Sequence, residues 1–321
     1  MTRVVISGGT GYVGRFIVEE CLTEGWNVTI MGRTPPVYGY FSAPVTFIQA
    51  ELGHNHSYAD AFENTDYFVH AAFDHIPGKY RGGEGDNPKG FVLKNLGGST
   101  ALFKQAKAAG VKKLVLLSSR AVYGTQKPGV NLHEDEMSDP DTLYGKVKYE
   151  LEQILEKMSG PDFFGISLRV TGVYGLAGTG KSHKWEKLFE DFADGKHIPS
   201  RIGTEVHGAD VAQAVTLVLK TDEKKLAGLH VFNVSDVPID RRDILRPLRH
   251  IMGVGHPLPT RADKSVLNVM NTDRIRNMGW RAADPLKFTF TLDELIDDWV
   301  RGRFGKQATG QASPSACPRD S

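Results

Sequence analysis

Tyr144 and Lys148 stand four residues apart in the stretch LYGKVK, and residues at that spacing share one face of a helix. An ammonium held beside a phenol favours the ionised phenol and so lowers the cost of moving its proton. That help matters, because an unperturbed phenol titrates at about 10, too high for efficient exchange near neutrality. Ahead of this pair, Ser118-Ser119 closes the apolar run KKLVLL and is followed by Val122-Tyr123-Gly124, which puts a hydroxyl donor at the same edge of a sheet. A Tyr/Lys pair also occurs on plain solvated helix faces, and a serine at a strand end also serves as a cap.

A second pattern concerns phosphate. SGGTGYVG, residues 7–14, sets Gly8, Gly11 and Gly14 between the strand-like Val4-Val5-Ile6 and the helix-like FIVEECL. A strand feeding a helix through a glycine turn lets the backbone approach a pyrophosphate, and the helix N-terminus offers unpaired N–H groups and partial positive charge. Taken alone the pattern also reads as an ordinary strand-to-helix turn.

These residues need a scaffold. Strand-like and helix-like segments alternate from the N-terminus, which predicts a parallel sheet covered by helices on both faces. The predicted strands are RVVIS, NVTIM, VTFIQA, DYFVHAA, KKLVLLSS, GISLRV and HVFNVS; the main helices are Tyr12 to Glu24, about 88–109 and about 143–158, with a short one over SYADAFEN. DHIPGKYRGGEGDNPK, residues 74–89, reads as a surface loop near the strand ends. After Gly172 the alternation weakens, with helical pieces near 184–194, 209–219, 240–251 and 291–301 that should form a smaller lobe over the strand ends. The expectation is an α/β, Rossmann-like, doubly wound parallel sheet of about seven strands with a smaller C-terminal substrate-binding lobe. Residues 1–171 plus a strand near 229–235 would bind the dinucleotide, 172–228 and 236–304 would form the lobe, and 305–321 a disordered tail.

Composition narrows the partners. The 321 residues carry 39 Lys plus Arg against 38 Asp plus Glu, so neither nucleic acid nor an acidic membrane is an expected partner; a small-molecule substrate fits better. Cys21 and Cys317 match no ligand or disulfide spacing, and no stretch of about 18 apolar residues occurs, so the expected setting is the cytoplasm.

In its ordered motifs the chain resembles the extended short-chain dehydrogenase/reductase family, the group containing NAD-dependent sugar epimerases and dehydratases. The motifs are Gly8-Gly-Thr-Gly11-Tyr-Val-Gly14, Asp66-Tyr-Phe-Val-His-Ala-Ala72, Asn95-Leu-Gly-Gly-Ser99, Gly110 to Ser119, Val122-Tyr-Gly124, Tyr144-x-x-x-Lys148, Leu168-Arg169 and Asp210-Val-Ala212. The resemblance implies that Tyr144 is the general acid/base, that Lys148 tunes it and binds the nicotinamide ribose, and that Ser119 holds the reacting oxygen. It implies that Gly8, Thr10, Gly11, Tyr12, Val13 and Gly14 meet the pyrophosphate. Glu51-Leu52 would lie near the adenine, Ala71-Ala72 beside the ribose and phosphates, and Asn95 at a proton-relay water. It also implies a homodimer through helices 88–109 and 143–158, with Leu151, Ile154 and Leu155 facing either the partner or their own sheet.

Departures from the family pattern bear on cofactor and substrate. Gly32 falls where NAD-preferring relatives place an aspartate on the adenosine 2′-hydroxyl, and the next residue, Arg33, suits a 2′-phosphate, so NADP is favoured with NAD as the alternative. Ser119 is followed by Arg120-Ala121 instead of the Asp-Glu pair of dehydrating relatives. Gly172 stands where nucleotide-sugar relatives carry an asparagine, Gly203 where they carry an arginine, and Arg201 lies two residues away. The expected function is hydride transfer to or from a hydroxyl or carbonyl carbon of a sugar-like or other small substrate. The alternatives are a nucleotide-sugar epimerase with tightly bound NAD and a dinucleotide-binding regulator without chemistry. His54 and His56 near Glu51 read as solvated and no metal is expected. His133-Glu134-Asp135 reads as a solvated turn or a second proton-transfer group, and Arg81, Arg120, Lys181 and His183 as surface charge or contacts to an anionic substrate.

Overall fold

The computed structural model describes residues 1–308 apart from positions 54, 77, 78, 80, 81, 179, 180 and 283–285. Its strands are β1 (Arg3–Ser7), β2 (Asn27–Gly32), β3 (Thr46–Gln49), β4 (Tyr67–His70), β5 (Lys113–Ser119), β6 (Phe164–Val170), β7 (Gly172–Tyr174), β8 (Ile202–His207), β9 (Val231–Val234) and β10 (Val237–Asp240). Its helices are α1 (Tyr12–Thr23), α2 (Pro88–Val92), α3 (Gly98–Ala108), α4 (Leu143–Met158), α5 (Glu186–Ala193), α6 (Gly208–Lys220), α7 (Glu223–Leu226), α8 (Arg241–Met252), α9 (Asp273–Asn277) and α10 (Lys287–Ala308).

The main sheet runs β3-β2-β1-β4-β5-β6-β9, parallel throughout, so all its strand ends carrying Ser7, His70 and Ser119 open on one edge. The order reverses between β1 and β4, the switch point at which open α/β sheets bind ligands. Alternation along β1 explains the layering. Val4 and Ile6 enter one core with Ile17 and Val18 of α1 and Val211 and Val215 of α6, while Val5 enters the opposite core with Phe103 of α3 and Leu151 of α4. Each such burial is worth about 1.5–3 kcal/mol, which fixes the register, since a one-residue slip would exchange the faces.

The expected strands and main helices are present, α4 with its expected limits, while the helix expected over SYADAFEN is a 3-10 turn, Ala59–Phe62. The helix expected over 88–109 is α2 and α3 joined by a π turn, Leu93–Gly97. A second sheet, β10-β8-β7, was not anticipated. With Trp185, Phe189, Phe192, Leu245 and Leu295 it builds the core of the smaller lobe. Helix α6, grouped with that lobe in the sequence reading, instead packs on α1 and the sheet, because Val211, Ala214, Val215 and Val218 all belong to the first core. Residues 305–308, expected in the tail, continue α10, and 309–321 lie outside the described residues. Leu151 and Leu155 are buried against their own sheet, with Ile154 half-buried beside them. Among the described residues no helix is long and apolar enough to cross a membrane.

His70, at the end of β4, is fully buried between Ser7 Oγ, 2.8 Å from Nδ1, and Ser99 Oγ, 2.8 Å from Nε2. Desolvation, with the nearby Lys148 charge adding to it, presses its pKa from 6.5 down to about 3. The unfolded chain therefore binds one more proton here between about pH 6.5 and 3. The neutral imidazole's stabilisation is complete above that window and is lost as pH falls through it. Chemical denaturation across this range should show His70→Gln, which keeps hydrogen-bonding groups but cannot take the proton, losing stability less steeply than the parent, by up to roughly 1.4 kcal/mol per pH unit. Equal slopes would mean that His70 is not held neutral.

Candidate active site at the C-terminal strand edge

The glycine turn comes first. Gly8 adopts φ +75°, and a Cβ there would stand 2.7 Å from the Ala72 nitrogen; a Cβ on Gly14 would stand 2.1 Å from the Gly8 carbonyl oxygen. Only glycine permits both approaches. Helix α1 begins at once after Gly11, which contributes no capping side chain, so the first-turn N–H groups of Tyr12, Val13 and Gly14 face the turn. Ala71 and Ala72 close the cradle, the Ala71 amide donating to Ser7 O at 3.1 Å and the Ala72 amide to Ser7 Oγ at 3.4 Å. This cradle fits a dinucleotide pyrophosphate on geometric grounds: it is narrow where a Cβ would intrude and is lined by backbone donors. Tyr12 and Arg15 point away from it. The Tyr12 hydroxyl donates to Gly175 O at 2.7 Å and Arg15 to Leu176 O at 2.8 Å, tying α1 to the chain after β7.

Around the adenosine end, Gly32 leaves its β2 terminus bare, a Cβ there reaching no closer than 3.6 Å to Thr10 Oγ1. Arg33 is 78% exposed and lies 3.6 Å from Asp74, which also pairs with Lys94 at 3.1 Å. Glu51 is exposed beside His56, and Leu52 is half-buried where Gly98 of α3 presses on the Leu52-Gly53 backbone.

The second group sits across the sheet edge. Thr142 caps α4 by accepting from the Gly145 amide at 3.0 Å, and Gly145 lies so close to the turn after β5 that a Cβ would be 2.5 Å from Ala121 O. That approach brings the Tyr144 phenol beside the Ser119 hydroxyl. Burial raises the Tyr144 pKa, with Ser119 opposing. Lys148, one turn on, is buried; its ammonium donates to Leu117 O at 2.6 Å and lies 5.9 Å from the centre of the Tyr144 ring. Desolvation presses its pKa down to about 7, with Glu152 working against the shift. Ser119, Tyr144 and Lys148, separated in sequence, are thus one cluster.

Phe73 was missed in the sequence. Its ring packs edge-on against Tyr144 at 5.0 Å and under the Lys148 ammonium at 4.3 Å, walling the cluster. The signal was its place directly after Ala71-Ala72. Asn95 is buried in the π turn, and its amide is spent on protein: Oδ1 accepts from Asp74 N at 2.7 Å, and Nδ2 donates to Asp74 O at 2.8 Å and Phe91 O at 3.0 Å. It orders the segment carrying Phe73 and does not stand free for a water.

The remaining candidates disperse. His133 and Asp135 are exposed, as a solvated turn requires, Asp135 at 85% while it pairs with Arg274 at 2.7 Å; Glu134 alone is buried and accepts from the Asn233 amide at 2.9 Å, so it is spent on the fold and not directed at Tyr144. Arg120 reaches Asn268 O at 3.4 Å, Lys181 is exposed and His183 is buried in the lobe against Phe189. His54 and Arg81 lie outside the described residues. No cluster of three or more His, Cys, Asp or Glu suited to a metal occurs among the described residues. A groove of about 1140 Å³ lies on the lobe between β10, α8 and α10, but none of its lining residues belongs to the Ser119 cluster.

Two further residues enter from the lobe. Lys184 and Glu205 form an ion pair in the space left by Gly172 and Gly203. No sequence pattern had marked either one.

The NAD dependent epimerase/dehydratase family model matches residues 4–235. Among curated relatives, the UDP-glucose 4-epimerase of Lacticaseibacillus casei is 26% identical over 313 residues, covering 87% of this chain and 91% of the relative. The 3 beta-hydroxysteroid dehydrogenase/Delta 5-->4-isomerase of vaccinia virus (strain Copenhagen) is 26% identical over 192 residues, about half of each chain. A crystal structure of UDP-glucose-4-epimerase from Stenotrophomonas maltophila, with bound NAD and formylated UDP-arabinopyranose, superposes with a TM-score of 0.74 at 21% identity, covering 96% of this chain and 100% of that one. A match that runs through the glycine turn, the Ser119 strand and the Tyr144 helix in order makes this chain an enzyme of the NAD-dependent epimerase/dehydratase family.

Proposed function

We propose that the protein moves hydride between a nicotinamide dinucleotide and a carbon bearing a hydroxyl or carbonyl group of a small substrate. The observation that carries this reading is the placement of the Tyr144 phenol beside Ser119, with the Lys148 ammonium behind it. When bound, the dinucleotide supplies the hydride acceptor or donor. Ser119 holds the substrate oxygen by hydrogen bonding, and Tyr144 takes the hydroxyl proton in oxidation or returns one in reduction. The Lys148 charge stabilises the phenolate, which is the form that takes the proton in oxidation and the form left once the proton is returned in reduction, and Phe73 shields both side chains from water. Gly8, Gly11 and Gly14 leave room for the pyrophosphate, and the α1 terminus faces its charge.

The same cluster serves net oxidation or reduction and epimerisation, in which hydride leaves one face of a carbon and returns to the other. The epimerase relatives support the second reading; the bare Gly172 and Gly203 positions support a substrate other than a nucleotide sugar. For the cofactor, an exposed Arg33 and a bare Gly32 support a 2′-phosphate, hence NADP, while the family name and the NAD-bound neighbour support NAD. Two copies through α2, α3 and α4 and a cytoplasmic setting complete the proposal.

Tyr144→Phe should lower kcat by about a hundredfold to ten-thousandfold while the dinucleotide still binds. Unchanged turnover would remove the phenol from the reaction. Side-by-side titration with NADPH and NADH, followed by thermal shift, should favour NADPH, and Arg33→Ala should weaken NADPH about tenfold without affecting NADH. An NADH preference in the parent protein would assign Arg33 to the surface and leave NAD as the cofactor.

A further inference from the structure

Gly172 follows two residues after Val170, whose strand partner is Ser119, so it lies about 7 Å further along the same edge. It pairs in register with Glu205 across β7 and β8. The Glu205 carboxylate sits between the two bare glycines: Oε2 would be 2.3 Å from a Cβ on Gly172, and Oε1 3.8 Å from a Cβ on Gly203. Lys184 Nζ would be 2.1 Å from the same Gly172 Cβ and pairs with Oε2. The Lys184 backbone amide lies beside the Tyr12 hydroxyl, which places the pair near the glycine turn. Its side chains stay 30% and 11% exposed, so a ligand can reach them.

At the neighbouring strand ends, Thr171 Oγ1 and Ser235 Oγ are buried and have no hydrogen-bond partner. The strands hold them together, the Thr171 amide donating to Val234 O at 3.2 Å. Buried hydroxyls left without partners are costly, and their place at the sheet's ligand edge directs them to a ligand. The set therefore offers a carboxylate that accepts, an ammonium that donates, and two hydroxyls that do either. Its net charge is zero. Hydroxyl groups satisfy such a set; a diphosphate would meet the Glu205 carboxylate beside an ammonium already paired with it, and like charges in a partly desolvated site repel.

Resting on the hydride-transfer reading, we propose that Lys184 and Glu205, with Thr171 and Ser235, form the substrate-recognition end of the site and select a polyhydroxylated compound without a diphosphate, a free sugar or polyol. The pair occupies the volume between Gly172 and Gly203 and excludes a nucleoside diphosphate from it.

The test uses the full chain. Titration with NAD and NADP comes first, and the better-held cofactor is kept saturating. Saturation-transfer NMR is then run with D-glucose, D-galactose, D-xylose and myo-inositol, and with UDP and UDP-glucose. At least one free compound should bind and neither uridine nucleotide should. Glu205→Gln, still folded and still holding dinucleotide, should weaken the free compound about tenfold or more, in keeping with loss of a hydrogen bond to a charged group. Lys184→Gln reads the other half of the pair and serves if the first variant fails to fold. UDP-glucose binding to the loaded protein, silence from every free compound, or unchanged affinity in both variants would overturn the assignment while leaving hydride transfer intact. Failure of the parent to hold either dinucleotide would instead sink both.

Discussion

One polar stripe on α4 holds the site together. Tyr144, Lys148 and Glu152 follow each other at intervals of four, and each docks on β5: Tyr144 on Ser119, Lys148 on Leu117 O at 2.6 Å, and Glu152 on the Ser118 hydroxyl. Glu152 also forms a forked ion pair with Arg169 of β6, 2.8 Å at the shortest contact, with the two side chains only 1% and 4% exposed. Burying these charges costs several kcal/mol of desolvation, so the pair adds little net stability, but removing one partner would leave the other charged and dry. Its effect is on position: the helix can neither slide nor roll without breaking a bond at every turn.

The chemistry follows from that docking. A phenol held off water resists ionisation and a buried ammonium resists remaining charged, so burial sets both shifts, with Ser119 opposing it at Tyr144 and Glu152 at Lys148. Arg169 also passes over the Tyr123 ring at 4.8 Å and reaches Glu134 O and Ser138 Oγ, so the loop before α4 is fastened to the sheet by the residue that fixes the helix. Tyr123 continues the chain to Asn233 of β9 at 2.8 Å. The buried network thus spans α4, β5, β6 and β9 beneath the cluster, with its donors and acceptors largely paired, as a rigid site requires.

What was legible in the sequence was local. The glycine turn, the Tyr/Lys spacing and the limits of α4 are short-range signals, each with a mechanism in a few consecutive residues. The apolar strands of the main sheet could be read because both faces are buried. The second sheet could not: β7 is three residues long and opens on a glycine, and β8 and β10 carry mixed polar residues whose burial depends on partners far away in the chain. Lys184 and Glu205 escaped for the same reason, since neither lies in a motif and their meeting depends on the register of β7 on β8. Asn95 shows the opposite error: its position was read from a motif, but the π turn and the Asp74 backbone decide what its amide touches. Helix α6 was read by its order in the chain, whereas its continuous apolar face belongs to the sheet.

The bonds from Tyr12 to Gly175 and from Arg15 to Leu176 have a mechanical meaning. They fasten the strap leaving β7 to the first turns of α1, the helix that borders the glycine cradle. Moving that strap as a unit would cost both bonds, of order 1 kcal/mol each, and would bare the Tyr12 hydroxyl in a largely dry setting. One rim of the cleft is therefore stitched to the floor. Any widening to admit a guest must come from the opposite rim, and what enters is measured against a wall that does not yield.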